Sequence, residues 1–267
     1  MTQGPTALVT GATAGIGLAT ARRLAAGGAV VLVHGRDEAK VAEVVATLRS
    51  EGGTAEGFTA DLASLTETRG LAREVADRAP SLDALINNAG VGPASPEGRR
   101  EVSRDGHELR FAVNYLAPYV LTRELLERGL PRHAVVNVSS AGQAPIDFDD
   151  PELERRYDGW HAYCQSKLAL VMLTYDLAAE LPGIAVNALH PGTYLDTAMV
   201  RDMGVQPLGT AEDGARAVID LMQRSLAGTV SGRYFDGGRA ASPEPQADDP
   251  DARRRLRELS ERLVRPA

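Results

Sequence analysis

Apolar residues follow two rhythms along this chain. Short runs rich in valine and alanine alternate with longer stretches in which apolar residues recur every three or four positions. The runs predict strands at Thr6–Thr10, Ala29–His34, Thr54–Ala60, Ala84–Asn87, Ala134–Ser139, Ile184–His190 and Arg233–Asp236. The longer stretches predict helices at Gly15–Ala26, Asp37–Ser50, Leu65–Ala79, Leu109–Arg128, His161–Leu181 and Ala211–Leu226. In the second of these, Val41, Val44, Val45 and Leu48 fall on one face. Strands alternating with helices imply right-handed βαβ units and a parallel sheet buried on both faces. Such sheets bind ligands at the carboxyl ends of their strands.

The pattern changes near the end. Ser242–Asp251 is rich in proline and acid and predicts an exposed linker. Asp251–Val264 then reads as a surface helix carrying a stripe of Leu256, Leu259 and Leu263. The expected organisation is one α/β domain over residues 1–241, followed by a linker and helix over 242–267.

Composition narrows the function. The chain has 267 residues, a size ordinary for one α/β domain, and 43% of them are hydrophobic. A net charge of -7 disfavours general nucleic-acid binding, which needs clustered positive charge. Cys164 is the only cysteine, so no intramolecular disulfide forms. No apolar run reaches the roughly 18 residues that span a bilayer. The first strand starts at once, leaving no room for a signal peptide. A cytoplasmic protein with no membrane partner is expected.

Candidate chemistry falls at strand ends. Residues 10–17 read TGATAGIG, with three glycines between a strand and a helix. Glycine tolerates positive φ and close backbone approach, and the helix start offers free N–H groups to a pyrophosphate. A tight glycine turn without a ligand is the alternative. The second strand ends in His34-Gly35-Arg36, with no carboxylate to accept from a ribose 2′-hydroxyl. The Arg36 guanidinium suits a 2′-phosphate, which favours NADP(H) over NAD(H). Asp61 and Leu62 follow the third strand, and Asn87-Asn88-Ala89-Gly90 ends the fourth.

Tyr163 and Lys167 lie four residues apart in YCQSK, on one face of a predicted helix. A nearby ammonium favours the phenolate and so lowers the pKa of a tyrosine. Such a tyrosine exchanges a proton with a substrate oxygen. Ser139 and Ser140 end a strand, where a hydroxyl can meet a developing oxyanion. Asn114 is a polar residue on a mostly apolar helix face. It either holds a water linking the lysine to solvent or satisfies a helix carbonyl. Cys164 reads as packing.

Together these segments resemble the short-chain dehydrogenase/reductase family over nearly the whole chain. The resemblance rests on TGATAGIG, Asp61-Leu62, NNAG, Asn114, Ser140, YCQSK and HPGT (190–193), in that order. It implies a Rossmann-like, doubly wound, seven-stranded parallel sheet flanked by helices, assembled as a homodimer or homotetramer. It implies Tyr163 as acid/base, Lys167 as its modulator and ribose ligand, Ser140 as the carbonyl orienter and Asn114 in a proton relay. Cofactor contacts are expected from Gly11, Thr13, Gly15, Ile16, Gly17, Arg36, Asp61, Leu62, Asn88, Ala89, Gly90, Tyr163, Lys167, Pro191, Gly192 and Thr193. No metal is part of this reading.

The insertion PIDFDDPELERRYDGWHAY and the terminal RELSERLV look like the retinol dehydrogenase and protochlorophyllide reductase-like branch, which is largely NADPH-using. That branch's retinol enzymes carry a membrane-anchoring N-terminus not seen here, so a bulky apolar carbonyl compound is expected rather than a retinoid. The implied reaction is hydride transfer to a ketone or aldehyde, with Tyr163 protonating the oxygen. The substrate is expected between the insertion and the loop Tyr194–Leu208, whose Leu195, Met199, Val200 and Met203 form either an apolar lid or the buried face of a surface helix. Two other readings stay open: a cofactor-sensing regulator, and a dehydratase or cyclase on the same fold.

Overall fold

A computed structural model describes residues 4–79, 81–94 and 98–265. Among them, eight strands form one sheet in the order β3-β2-β1-β4-β5-β6-β7-β8. The strands are β1 Thr6–Val9, β2 Val30–Gly35, β3 Thr54–Thr59, β4 Ala84–Asn87, β5 Ala134–Val138, β6 Ala185–His190, β7 Arg233–Asp236 and β8 Arg239–Ala241. The first seven run parallel, as expected. The expected count of seven is corrected by β8, a three-residue strand that turns back on β7 antiparallel.

Helices cover both faces: α1 Gly15–Ala26, α2 Glu38–Ser50, α3 Leu65–Arg78, α4 Leu109–Phe111, α5 Ala117–Leu126, α6 Gly159–Glu180, α7 Ala198–Asp202, α8 Ala211–Leu226 and α9 Pro250–Leu263. Strand alternation splits the core in two. In β1, Leu8 packs into the cluster holding Leu71, Leu121 and Leu170, while Ala7 and Val9 pack into the one holding Leu24, Val41 and Val218. Every residue of β1, β4, β5 and β6 is buried, which is why those strands are mostly apolar.

Two expectations change. The single helix expected over Leu109–Arg128 is broken by a π-helical turn, Ala112–Leu116, centred on Asn114. The Ser242–Asp251 segment is not simply an exposed linker. It carries a 3-10 turn, Pro245–Asp248, that buries Ala247 in the main core. Gln246 accepts from the Ile146 amide (2.7 Å) and donates to its carbonyl (3.3 Å), and the Glu244 amide donates to Gln143 (3.0 Å). The terminal helix α9 then buries Leu256 and Leu259, as its stripe predicted. No helix among the described residues is long and apolar enough to cross a membrane.

Candidate active site at the carboxyl edge of the sheet

The glycine turn after β1 is shaped by contacts that exclude side chains. Gly11 and Gly15 have φ of 65° and 53°, the left-handed region that suits glycine. A Cβ on Gly17 would lie 2.2 Å from the Gly11 carbonyl oxygen, and one on Gly35 would lie 2.6 Å from Thr13 Cγ2. The turn is latched to the next crossover through Thr10, whose hydroxyl accepts from the amides of Asn88 (2.9 Å) and Ala89 (3.0 Å). Asn88 Nδ2 returns a bond to the Thr10 carbonyl (2.8 Å).

His34 holds the same turn from the other side. Its Nδ1 accepts from the Gly11 amide at 3.3 Å, and its Nε2 faces the Ala60 carbonyl at 3.1 Å. This pattern requires a neutral ring, and burial lowers its pKa to about 4. The unfolded chain takes up a proton near pH ~6.5, while the folded chain resists until about 4. Stability is therefore present in full above ~6.5 and declines as pH falls, by about 1.4 kcal/mol per unit. His190, lowered by burial, acts in the same direction; His107, raised chiefly by its bond to Glu152, acts in the opposite one. Urea midpoints measured between pH ~6.5 and ~5 should show a flatter decline in His34→Gln than in the wild type. Parallel declines would contradict this assignment.

A cavity of about 380 Å³ opens over the carboxyl ends of β4, β5 and β6. Of the sequence-expected residues, Ile16, Asn88, Gly90, Ser140, Tyr163, Lys167, Pro191, Gly192 and Thr193 line it together. Ser139 also lines it, but its hydroxyl donates to the Lys167 carbonyl in α6 (2.8 Å). The Ser140 hydroxyl faces the same cavity as the Tyr163 phenol, lowers its pKa, and accepts from the Gly142 amide (3.0 Å). The Tyr234 hydroxyl donates to the Ser140 carbonyl at 2.8 Å, fixing the strand end.

Burial holds the Tyr163 phenol above its ordinary pKa; the Ser140 hydroxyl acts against this and nearby Cys164 adds to it. A phenol pushed downward by Lys167 was expected, and this geometry differs. The Lys167 ammonium sits 5.8 Å from the Tyr163 ring centre and donates to the Val138 carbonyl (3.0 Å). Desolvation lowers the ammonium itself to about 8. It also lies against Gly90, where a Cβ would come within 3.4 Å of Nζ.

Asn114 lies behind the cavity rather than on its wall. It accepts from the Val91 amide (2.7 Å) and donates to the Val91 carbonyl (3.0 Å) and to Ser166 (3.0 Å). Its side chain thus ties the Asn87–Gly90 turn to α6. Gly11, Thr13, Gly15, Gly17, Arg36, Asp61, Leu62 and Ala89 are off the wall too. Asp61 caps the Ala63 amide (3.0 Å) and pairs with Arg104 (3.4 Å), and Leu62 is buried in the core. Arg36 is exposed at the end of β2.

The outer wall is apolar. Leu195, Met199, Val200 and Met203, the expected lid, all line the cavity. The segment is anchored at both ends. Leu195 packs so tightly on Gly214 that a Cβ there would lie 2.6 Å from Leu195 Cδ1, and Thr197 caps α7. Of the insertion, Trp160 reaches the cavity and stacks on Tyr163 with ring centres 6.1 Å apart. Ile146 and Leu153 turn into the core instead. Cys164 is buried with its thiol pushed up to about 11 by desolvation, consistent with packing.

Sequence reasoning missed Arg110. Its guanidinium is fully buried and donates to the carbonyls of Gly92 (3.1 Å) and Ala94 (2.7 Å) and to Glu101 (2.8 Å). The segment it holds is a cavity wall: Pro93 lines the cavity, and a Cβ on Gly92 would lie 2.6 Å from Met199. An arginine in a short amphipathic segment gives no signal of burial in sequence.

Comparison with known proteins agrees with this geometry. The short chain dehydrogenase family model matches residues 5–207. Human retinol dehydrogenase 13 is 36% identical over 285 residues, covering 98% of this chain and 85% of its own. Mouse polyprenol dehydrogenase is 36% identical, covering 95% of this chain and 82% of its own. Among solved structures, a Mycobacterium paratuberculosis protein matches with TM-score 0.78 and 31% identity over 97% of this chain and 93% of its own. A Burkholderia cenocepacia short chain dehydrogenase in complex with NADP matches with TM-score 0.70 and 29% identity, covering 89% and 98%. The chain belongs to the short-chain dehydrogenase/reductase family of oxidoreductases, in its retinol dehydrogenase-like branch.

Proposed function

We propose that this protein reduces a ketone or aldehyde carbonyl of a small, largely apolar organic molecule with NADPH, and that Tyr163 donates the proton. The observation carrying this reading is one cavity that joins Ser140, Tyr163 and Lys167 to Asn88, Gly90 and Pro191–Thr193 under an apolar lid. The residues fit a dinucleotide: the glycine cradle leaves no space for a Cβ at position 17, and the first turn of α1 has neither a side-chain cap nor an acidic residue, leaving its amides free for an anion. Gly11, Thr13, Gly15, Ile16 and Gly17 would hold the pyrophosphate, and Asp61 and Leu62 would border the adenine. Asn88, Ala89, Gly90, Pro191, Gly192 and Thr193 would hold the nicotinamide half, and Arg36 would hold the 2′-phosphate. When bound, the cofactor supplies the hydride.

The protein's own residues handle the oxygen. A phenol held above its ordinary pKa is protonated at neutral pH, which suits it to give a proton rather than take one. The Ser140 hydroxyl, on the same cavity wall as that phenol, orients the carbonyl and steadies the developing negative charge. Lys167, charged for most of its time below about 8, holds the ribose hydroxyls and favours the phenolate left behind. Asn114 keeps α6 and the Asn87–Gly90 turn in register and closes a proton relay through water.

The apolar lid, with Trp160 at the mouth, supports an apolar substrate, as do the names retinol and polyprenol dehydrogenase among the relatives. The test is NADPH consumption with a panel of apolar ketones, aldehydes and quinones. Turnover with at least one panel member is expected; tight NADPH binding without consumption by any would overturn the reading.

A further inference from the structure

The peptide of Ser140 is held by side chains rather than by the sheet. Ser139 still donates to the Leu189 carbonyl (2.8 Å) and so continues the ladder between β5 and β6. Ser140 lies one residue beyond. Its carbonyl accepts from Gln143 Nε2 (2.7 Å) and from the Tyr234 hydroxyl (2.8 Å). A carbonyl oxygen has two lone pairs, and both are engaged. Turning this peptide would break both bonds and carry the Ser140 hydroxyl away from the cavity that it lines.

Gln143 is also engaged at its other end. Its Oε1 accepts from the Glu244 amide at 3.0 Å, across 101 positions of sequence. Glu244 precedes the 3-10 turn whose Ala247 is buried in the core. Arg253 of α9 donates to the Ala247 carbonyl (2.7 Å) and pairs with Asp176 of α6 (3.1 Å), and Arg257 pairs with the same carboxylate. The tail is therefore fixed to the helix that carries Tyr163 and Lys167. One half-buried amide side chain links that helix-anchored tail to the peptide of Ser140.

We infer that Gln143 is a positioning residue: it bridges the Ser140 carbonyl to the Glu244 amide, aims the Ser140 hydroxyl into the cavity and makes segment 242–249 part of the active-site frame. This rests on the role given to Ser140 above. The polarity of the bridge is specific. One partner needs a donor and the other an acceptor, and a primary amide carries both on one planar group. Gln143→Glu keeps the shape and the acceptor, but turns a second oxygen toward the Ser140 carbonyl.

The test combines Gln143→Ala and Gln143→Glu, each alone and together with Ser140→Ala. Reduction kinetics use a carbonyl compound turned over in the panel above, with NADPH affinity and melting temperature measured alongside. Alone, both Gln143 variants should lower kcat about tenfold and keep NADPH affinity within about twofold. With Ser140→Ala present, the same substitutions should lower kcat less than about twofold, because the group they aim is gone. A merely structural role would persist in that background. Equal losses in both backgrounds, or full activity in Gln143→Glu, would overturn the inference.

The tail is tested by Glu244→Pro, which removes the amide hydrogen at a residue whose φ of -58° already suits proline. Glu244→Ala keeps that hydrogen. The first should lower kcat several-fold more than the second; equal behaviour would overturn the part given to segment 242–249. If Ser140→Ala alone reduces the substrate at the wild-type rate, or no panel member is turned over, the reading above fails and this inference with it. If Ser140→Ala is slow while both Gln143 variants keep full activity, only the role of Gln143 fails.

Discussion

Tyr163→Phe should bind NADPH within about twofold of the wild type and reduce carbonyl substrates about 10²–10⁴-fold more slowly. The substitution removes one oxygen and little else. The ring keeps its stacking on Trp160 and its buried position in α6, so fold and cavity shape are retained. What disappears is the proton next to the substrate oxygen. The loss should fall mainly on kcat, because the phenol acts as the carbonyl carbon changes geometry rather than as substrate docks. Steady-state kinetics with separate determination of cofactor affinity checks this. A loss under about tenfold would mean that another group delivers the proton.

Arg110→Met should destabilise the protein by about 3–5 kcal/mol, although residue 110 is outside the cavity wall. The Arg110 guanidinium is fully buried, and so is Glu108, 3.4 Å from it. Removing the cation leaves that carboxylate with the Phe111 amide (2.8 Å) and the Tyr157 hydroxyl (3.3 Å) but no opposite charge beside it. It also strands the carbonyls of Gly92 and Ala94, each costing about 1–3 kcal/mol if unsatisfied. For a chain this long, the melting temperature should fall on the order of 10 °C. The double variant Arg110→Met/Glu108→Leu should recover part of the loss, since an apolar pair avoids the desolvation cost. Because the freed segment carries Pro93 and packs on Met199, KM for substrate should rise in variant molecules that remain folded. A melting shift under about 2 °C would contradict the account.

The same two residues mark how far sequence reasoning reaches. Tyr163 and Lys167 could be placed on one helix face from their i, i+4 spacing, and they do line one cavity; the role expected of Tyr163 came from the family resemblance. The parallel strands were legible because a strand buried on both faces is mostly apolar, as β5 is in AVVNV, whose one polar residue, Asn137, bonds to Asn87 and Thr174. Arg110 was not, because its burial depends on carbonyls of residues 92 and 94 that the fold brings near, and nothing local announces them.

β8 escaped notice because Arg-Ala-Ala has neither β-branched residues nor alternation; its pairing comes from the turn after β7. The π turn at Asn114 escaped because one extra residue in a helix leaves the apolar pattern almost intact. The acidic, proline-rich segment before α9 looked solvated by composition, yet Gln246 and Ala247 dock it onto the loop after Ser140. His34 looked like a missing carboxylate; its buried contact with the Gly11 amide shows a structural use for the ring.

The most direct test is label transfer from NADPH deuterated at the reacting carbon of the nicotinamide, with a carbonyl substrate found by the panel. The account predicts that one deuterium arrives on the carbinol carbon for each cofactor oxidised, and that Tyr163→Phe slows this transfer. Oxidised cofactor with no deuterium in the product would contradict it.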